Sequence, residues 1–145
     1  MKLLVAVDDS KFSDAAVLGI PAYFKPESVE VRILHVVPLP VRSAVPQMSR
    51  DYAPELEEHT KEAHALVDRH VKSLRANGYQ VDSVVETGDV RETIIDSAIR
   101  WSADLILLGS HGHKGMGRLL IGSVAESVVR HAHCSVFVVR LAQQK

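Results

Sequence analysis

One stretch constrains this chain more than any other. It runs from Leu105 to Val124 and reads LILLGSHGHKGMGRLLIGSV. An apolar run, Leu105-Ile106-Leu107-Leu108, stops at Gly109. Gly112, Gly115 and Gly117 follow, interleaved with His111, His113, Lys114 and Arg118, and the stretch closes on Gly122-Ser123 ahead of a helical pattern. A buried strand, a glycine-rich basic loop and a helix start, in that order, are the parts of a phosphate site. Glycine lets the main chain approach an anion and adopt positive φ. The helix start supplies unpaired N–H groups and the positive end of the dipole.

The rest of the chain repeats the strand-then-helix theme. Lys2 to Val7 is short and continuously apolar, as expected of a strand buried on both faces, and Asp8-Asp9-Ser10 ends it. Ser10 to Phe24 reads as a helix with Ser10 or Ser13 as N-cap and Phe12, Ala16, Ile20 and Phe24 on one face. Pro21 is expected to kink or shorten it. Val29 to Val37 reads as a second strand. Pro38 to Arg50, with three prolines, is irregular, and a connection of that length serves as a lid, a binding loop or a disordered link. A long helix from about Tyr52 carries the apolar stripe Leu56, Ala63, Val67, Val71, Leu74 and stops at Asn77-Gly78. Its His59, His64 and His70 are expected at the surface. Val81 to Glu86 is a strand interrupted by Asp82 and Ser83, a polarity that suits a sheet edge. Asp89-Val90-Arg91-Glu92 is a capping box opening a helix to about Ser102. Ala103 to Leu108 is the fourth strand, Ser123 to His133 the last helix and Ser135 to Arg140 the last strand.

Strands alternating with helices give an α/β fold: one doubly wound, Rossmann-like domain over residues 1–145, a five-stranded parallel sheet with helices on both faces. The purest apolar strands, at Leu3 and Leu105, belong in the centre. With right-handed crossovers the expected order is 3-2-1-4-5. The order reverses between the first and fourth strands, and ligands in such sheets bind at that crevice, outside the carboxyl ends of the strands. Asp8 ends the first strand and Gly109 the fourth, so two motifs far apart in sequence are expected to converge on one cleft.

Composition narrows the partners. The 145 residues carry 17 Lys and Arg against 18 Asp and Glu, so no general attraction to nucleic acid or an anionic membrane is implied. No apolar run approaches a membrane span, and the apolar N-terminus is too short for a signal peptide before it meets Asp8-Asp9. A lone cysteine, Cys134, excludes an internal disulfide and fits a reducing cytoplasm.

Gly109-x-x-Gly112, nine residues, then Gly122-Ser123 resembles the nucleotide-binding signature of the universal stress protein family, in its ATP-binding class. The resemblance spans essentially the whole chain: VAVDDS is similar to that family's first strand, RILHVV to its second and SVFVVR to its last, although Ser135 stands where proline is common. It implies that Asp8, with Ala6, Val7 and the main chain at Val36, contacts adenine. It places Leu108 and Gly109 by the ribose, and Gly112, Gly122, Ser123 and Val124 on the phosphates. It further implies an ATP, ADP or AMP ligand, a cytoplasmic homodimer built through Ser135–Arg140, and a stress-response role with slow ATP hydrolysis at most and no defined catalytic residue.

Each of these residues also has a plain structural role. Ser123 with Glu126 forms a capping box whether or not it meets phosphate. Gly122 is the most telling glycine, because a Cβ there would obstruct an anion at the helix start. A carboxylate beside phosphates is unfavourable, so Asp8 belongs toward the base or a metal, or else caps the following helix. Lys114 and Arg118 either neutralise phosphate or sit on an exposed loop, and Met116 either covers the base or fills a gap. His111-Gly112-His113 lacks a third ligand at metal spacing, so no protein-held metal is expected. Magnesium carried on the phosphates is the better fit. Other chemistries lack their motifs: there is no GxSxG elbow, no GxxxxGK[ST] loop, and DDSKFS stands where a dinucleotide fold needs GxGxxG. A phospho-acceptor domain would need an aspartate and a lysine where Glu86 and Arg140 stand. The leading reading is a nucleotide-dependent regulatory protein, with a weak ATPase or another nucleotide-processing enzyme on the same fold as the alternative.

Overall fold

The structure is a computed structural model and describes residues 1–39, 52–112 and 120–141. Its elements follow in the order β1 (Lys2–Val7), α1 (Lys11–Tyr23), a 3₁₀ turn (Pro26–Ser28), β2 (Glu30–Pro38), α2 (Tyr52–Ala76), β3 (Gln80–Gly88), α3 (Val90–Trp101), β4 (Leu105–Gly109), α4 (Ser123–His131) and β5 (Ser135–Val139). All the pairings are parallel and the strand order is β3-β2-β1-β4-β5. The fold is therefore the expected doubly wound one, with β3 and β5 as edges.

Alternate residues of each central strand feed two cores. Leu3, Val5 and Val7 join Val31 and Ile33 against Ala16, Val17 and Ile20 of α1 and Val67, Val71 and Leu74 of α2. Leu4, Ala6, Leu34 and Val36 join Ile106 and Leu108 against Ile94, Ala98 and Trp101 of α3 and Ala125 and Val128 of α4. Because β1 and β4 are covered on both faces, they tolerate no polar alternation, which is why they read as unbroken apolar runs.

The helix ends follow local rules. Asp89 caps α3 by accepting from the N–H groups of Arg91 and Glu92 at 3.1 and 3.0 Å. At the end of α2, Gly78 takes φ +86°, Tyr79 N–H reaches Leu74 O at 3.2 Å and Gly78 N–H reaches Arg75 O at 2.9 Å, a Schellman stop. Helix α1 runs only two residues beyond Pro21.

One expectation fails on α2. His59 and His64 are exposed, but His70 is 4% exposed. It lies on the same stripe as Val67 and Leu74 and packs toward α1, where its Nε2 stands 3.6 Å from Asp14 Oδ1. Burial lowers its pKa, the nearby Arg69 charge adds to that, and Asp14 opposes it.

Candidate functional site

The carboxyl end of β1 runs straight into a turn that its own serines close. Ser10 is the N-cap of α1, and its Oγ accepts from Ser13 N–H at 3.2 Å. Ser13, the third residue of the helix and buried, turns its hydroxyl back on Asp8. Ser13 Oγ accepts from Asp8 N–H at 2.8 Å and donates to Asp8 Oδ1 at 2.8 Å. Asp8 is therefore not the cap of α1. It is a half-buried residue whose main-chain N–H and carboxylate are both bound by one hydroxyl. Beside it, His35 Nδ1–H donates to Val7 O at 2.7 Å, tying the end of β1 to β2.

The carboxyl end of β4 lies against this turn. A Cβ on Gly109 would stand 2.8 Å from the main chain of Phe12, so α1 seats its first turn directly on the glycine. A Cβ on Gly112 would stand 2.8 Å from Asp8 Oδ2. The expected convergence of the two motifs is thus present as direct contact. Between these glycines, Ser110 is buried and extends the ladder by donating its N–H to Val139 O at 2.8 Å. His111 tilts its ring against Phe12 with centroids 5.1 Å apart. Its Nδ1 shares a hydrogen bond of 3.0 Å with Ser110 Oγ, the direction of which depends on the imidazole tautomer.

The start of α4 differs from the expectation in two ways. The N-cap is Gly122, without a side-chain bond, and Ser123 stands one position inside the helix, so the Ser123–Glu126 capping box does not form. Gly122 also has an internal reason to be glycine. Its N–H donates to Ser110 O at 2.6 Å, and a Cβ there would lie 3.0 Å from that oxygen and 3.1 Å from His111 Cα. The close approach at Gly122 is therefore made by the preceding loop. The first intrahelical bond is Glu126 N–H to Gly122 O at 2.9 Å. The N–H groups of Ser123, Val124 and Ala125 precede it and have no intrahelical acceptor, as at any helix start. Arg140, just past β5, donates to Leu120 O at 2.7 Å and holds the approach to this helix.

The other sequence-derived positions line the same rim. Ala6 is paired with Leu34 on one side and Leu108 on the other, and Val7 with His35. Val36, one residue further along β2, is paired with Glu86 of β3. The side chains of Ala6, Val36 and Leu108 are buried in the core beneath α3 and α4, and that of Val7 in the opposite core, so any contact these four make at the rim is through main chain. Asp9 is exposed. His113, Lys114, Gly115, Met116, Gly117 and Arg118 lie outside the described residues, as do positions 40–50 of the proline-rich connection.

The sequence reading missed two features here. The role of Ser13 was visible only as an alternative N-cap. A cleft of about 680 Å³ opens between the end of β2 and α2, with Asp9, His35, Val37, His59, Glu62 and Arg69 among its walls. The spacing of His59, Glu62 and Arg69 along one side of α2 is the signal that could have found it. Among the described residues, no group of three or more His, Cys, Asp or Glu side chains is placed to hold a metal ion, and no helix is long and apolar enough to cross a membrane.

Comparison with known proteins gives a consistent result. The model of the universal stress protein family matches residues 1–140. Universal stress protein Sll1388 of Synechocystis is 28% identical over 149 aligned residues, covering 96% of this chain and 97% of that one. The solved structure of MJ0577, a protein of Methanocaldococcus jannaschii, aligns with TM-score 0.84 at 27% identity, covering 99% of this chain and 97% of the other. A universal stress protein family protein from Arabidopsis thaliana, solved with AMP bound, has the same fold with TM-score 0.71 at 19% identity, over 98% of this chain and 92% of the other.

Proposed function

This chain belongs to the universal stress protein family, and from that premise we propose that it is a nucleotide-dependent regulatory protein that binds ATP at the carboxyl rim of β1 and β4. The observation that carries the reading is the contact of Asp8 with Gly112 beneath the start of α4. It joins an acceptor suited to a base and a row of main-chain donors suited to phosphates in one crevice. Asp8 and the main chain of Ala6, Val7 and Val36 receive the base, and Leu108 and Gly109 flank the ribose. Gly112 and the N–H groups of Ser123 and Val124 meet the phosphates. Gly122 acts by letting the loop seat against the helix, since its own N–H is held by Ser110. The AMP-bound relative from Arabidopsis thaliana supports a nucleotide on this fold.

Magnesium enters with the nucleotide in this reading. A magnesium ion would take its oxygen ligands from phosphate and water. The chain acts as a cytoplasmic homodimer paired through Ser135–Arg140. Strand β5 supports this, because it is a sheet edge paired on one side by β4. Binding shifts conformation or partner choice, and hydrolysis is incidental.

The test is thermal unfolding with ATP, ADP and AMP, each with and without magnesium, alongside mass spectrometry of ligand released from gently purified protein. A ligand held by the folded state alone stabilises it by roughly 2.7 kcal/mol at a hundredfold excess over Kd. An unmoved transition at millimolar nucleotide would overturn the proposal.

A further inference from the structure

We propose that Asp14 changes partner with acid. At neutral pH it ties α1 to Arg69 of α2. On acidification it passes to His70, and Arg69 turns into the neighbouring cleft between β2 and α2. This exchange is an acid-operated device in the seam between the two helices, and it holds whatever the chain binds at its carboxyl rim.

The geometry is a contest for one oxygen. Arg69 Nη2 donates to Asp14 Oδ1 at 3.0 Å, and His70 Nε2 stands 3.6 Å from the same atom. The longer separation is not a hydrogen bond. Among the described residues, His70 Nε2 is the one buried side-chain polar atom without a hydrogen-bond partner. Folded chains rarely leave such an atom. The two claimants also live in different surroundings. The Arg69 side chain is 58% exposed, so water can replace the carboxylate at little cost. The His70 side chain is 5% exposed, and a charge there has a carboxylate or nothing.

Protonation reverses the contest. A neutral imidazole makes a weak claim on a carboxylate, so Arg69 holds Oδ1. An imidazolium donates from both nitrogens, and it repels the guanidinium next to it in the chain. The buried cation keeps the oxygen and the exposed one leaves. The movement required is small, a closure from 3.6 Å to about 3 Å. Asp14 is the charged group of α1 that faces His70, and Arg69 is the one on α2. Strands β2 and β3 face α2 with Val31, Ile33, Val81 and Val85, and with His35 at the rim, whose Nδ1 is engaged by Val7 O. Arg69 has somewhere to go, because it already lines the cleft that carries the carboxylates of Asp9 and Glu62. Burial and the Arg69 charge lower the His70 pKa while Asp14 raises it, so the exchange falls on the acid side of 6.5.

The experiment follows the His70 imidazole and Arg69 guanidinium signals by NMR in the full chain from pH 8 to pH 5. Both are expected to move together, with one midpoint below 6.5. In His70→Gln the Arg69 signal is expected to stay still. In Asp14→Asn the His70 midpoint is expected to fall further, because the group that raises it is gone. A double-mutant cycle of Asp14→Asn with Arg69→Gln adds the energetic reading. Its coupling is expected to be about twofold in the unfolding constant at pH 7.5, the scale of an exposed ion pair, and absent at pH 5. The cycle of Asp14→Asn with His70→Gln is expected to show the opposite trend. If His70→Gln does not fold, His70→Leu suits the stripe of Val67 and Leu74 and is expected to silence Arg69 in the same way. An imidazole that titrates while Arg69 stays still overturns the inference, since a merely structural histidine would behave so. An Arg69 response that survives loss of His70, or a His70 midpoint that Asp14→Asn leaves in place, overturns it as well. So does a wild-type protein that unfolds before His70 titrates, because the second state is then never reached.

Discussion

The two rims of the sheet are made from the same strands and finished in opposite ways. At the amino rim the main chain and side chains answer one another directly. Lys2 N–H donates to Asp104 Oδ2 at 2.7 Å, and Asp104 N–H returns a bond to Lys2 O at 2.9 Å. Lys2 Nζ reaches Trp101 O at 3.2 Å and stands 5.4 Å from the centre of the same indole ring. The Arg32 guanidinium stacks 4.6 Å from that ring and holds Asp82 through two bonds, which raise its pKa further. At the carboxyl rim, beside the Ser13–Asp8 and His35–Val7 bonds, the closest approaches depend on absent side chains at Gly109, Gly112 and Gly122, next to the start of α4. One rim is built as a permanent seam. The other is a set of close main-chain approaches in front of a helix start, which under the proposed function a nucleotide completes. The difference teaches where mutations act: at the first rim on stability alone, at the second on stability and binding together.

Trp101→Ala probes the first rim with the largest expected effect. The side chain is 9% exposed and is flanked by two cations, so truncation leaves a cavity and two unstacked charges. A loss of about 3–5 kcal/mol is expected in denaturant unfolding. The nucleotide affinity of the protein that remains folded is expected to match wild type. A parallel loss of affinity would break the division between the rims.

Gly109→Val is the counterpart at the second rim. The Phe12 main chain, 2.8 Å from any Cβ, cannot rotate away as a flexible side chain would, so α1 and β4 must separate. Overpacking of this kind costs about 1–3 kcal/mol. Here the displacement also carries Asp8 and the loop apart, so nucleotide affinity is expected to fall beyond what the stability loss explains. Wild-type affinity in a destabilised Gly109→Val protein would mean that the approach serves packing only.

The two rims were not equally legible in the sequence. The order of the strands follows from Leu3–Val7 and Leu105–Leu108 being apolar throughout and from Asp82 and Ser83 interrupting β3, because burial on two faces leaves a mark on every residue. Asp89 and Asn77-Gly78 were legible because helix ends are local. The convergence of Asp8 and Gly109 followed from topology. The reason each glycine is a glycine did not. The groups they admit, Phe12, Asp8 and Ser110, are met only after folding, and for Gly109 and Gly112 they lie far away in the chain. The pattern Ser123-x-x-Glu126 pointed to the wrong cap for the same reason: the bond from Gly122 to Ser110 decides where the helix starts. The spacing of His70 from Val67 and Leu74 marks it as inward, and that periodicity outweighs the usual exposure of histidine.

That histidine supplies the smallest and most selective test of the comparison. Helix α1 carries the carboxyl-rim turn at its start and Asp14 one residue past Ser13, and Asp14 faces His70 and Arg69 of α2. In the folded protein burial and the Arg69 charge hold the imidazole pKa below 6.5, against the pull of Asp14. The unfolded chain therefore takes up a proton near pH 6.5 that the folded chain still refuses, so stability falls as pH drops from about 6.5 toward the lower folded value and levels off below it. The amino-rim cluster of Lys2, Arg32, Asp82, Trp101 and Asp104 contains no histidine. Urea unfolding at pH 7.5 and 5.5 is expected to show a smaller difference for His70→Gln than for wild type. Trp101→Ala, by contrast, is expected to keep the wild-type pH difference despite its much larger loss. If His70→Gln leaves the pH difference intact, the acid sensitivity of this fold does not arise where His70 of α2 meets Asp14 of α1.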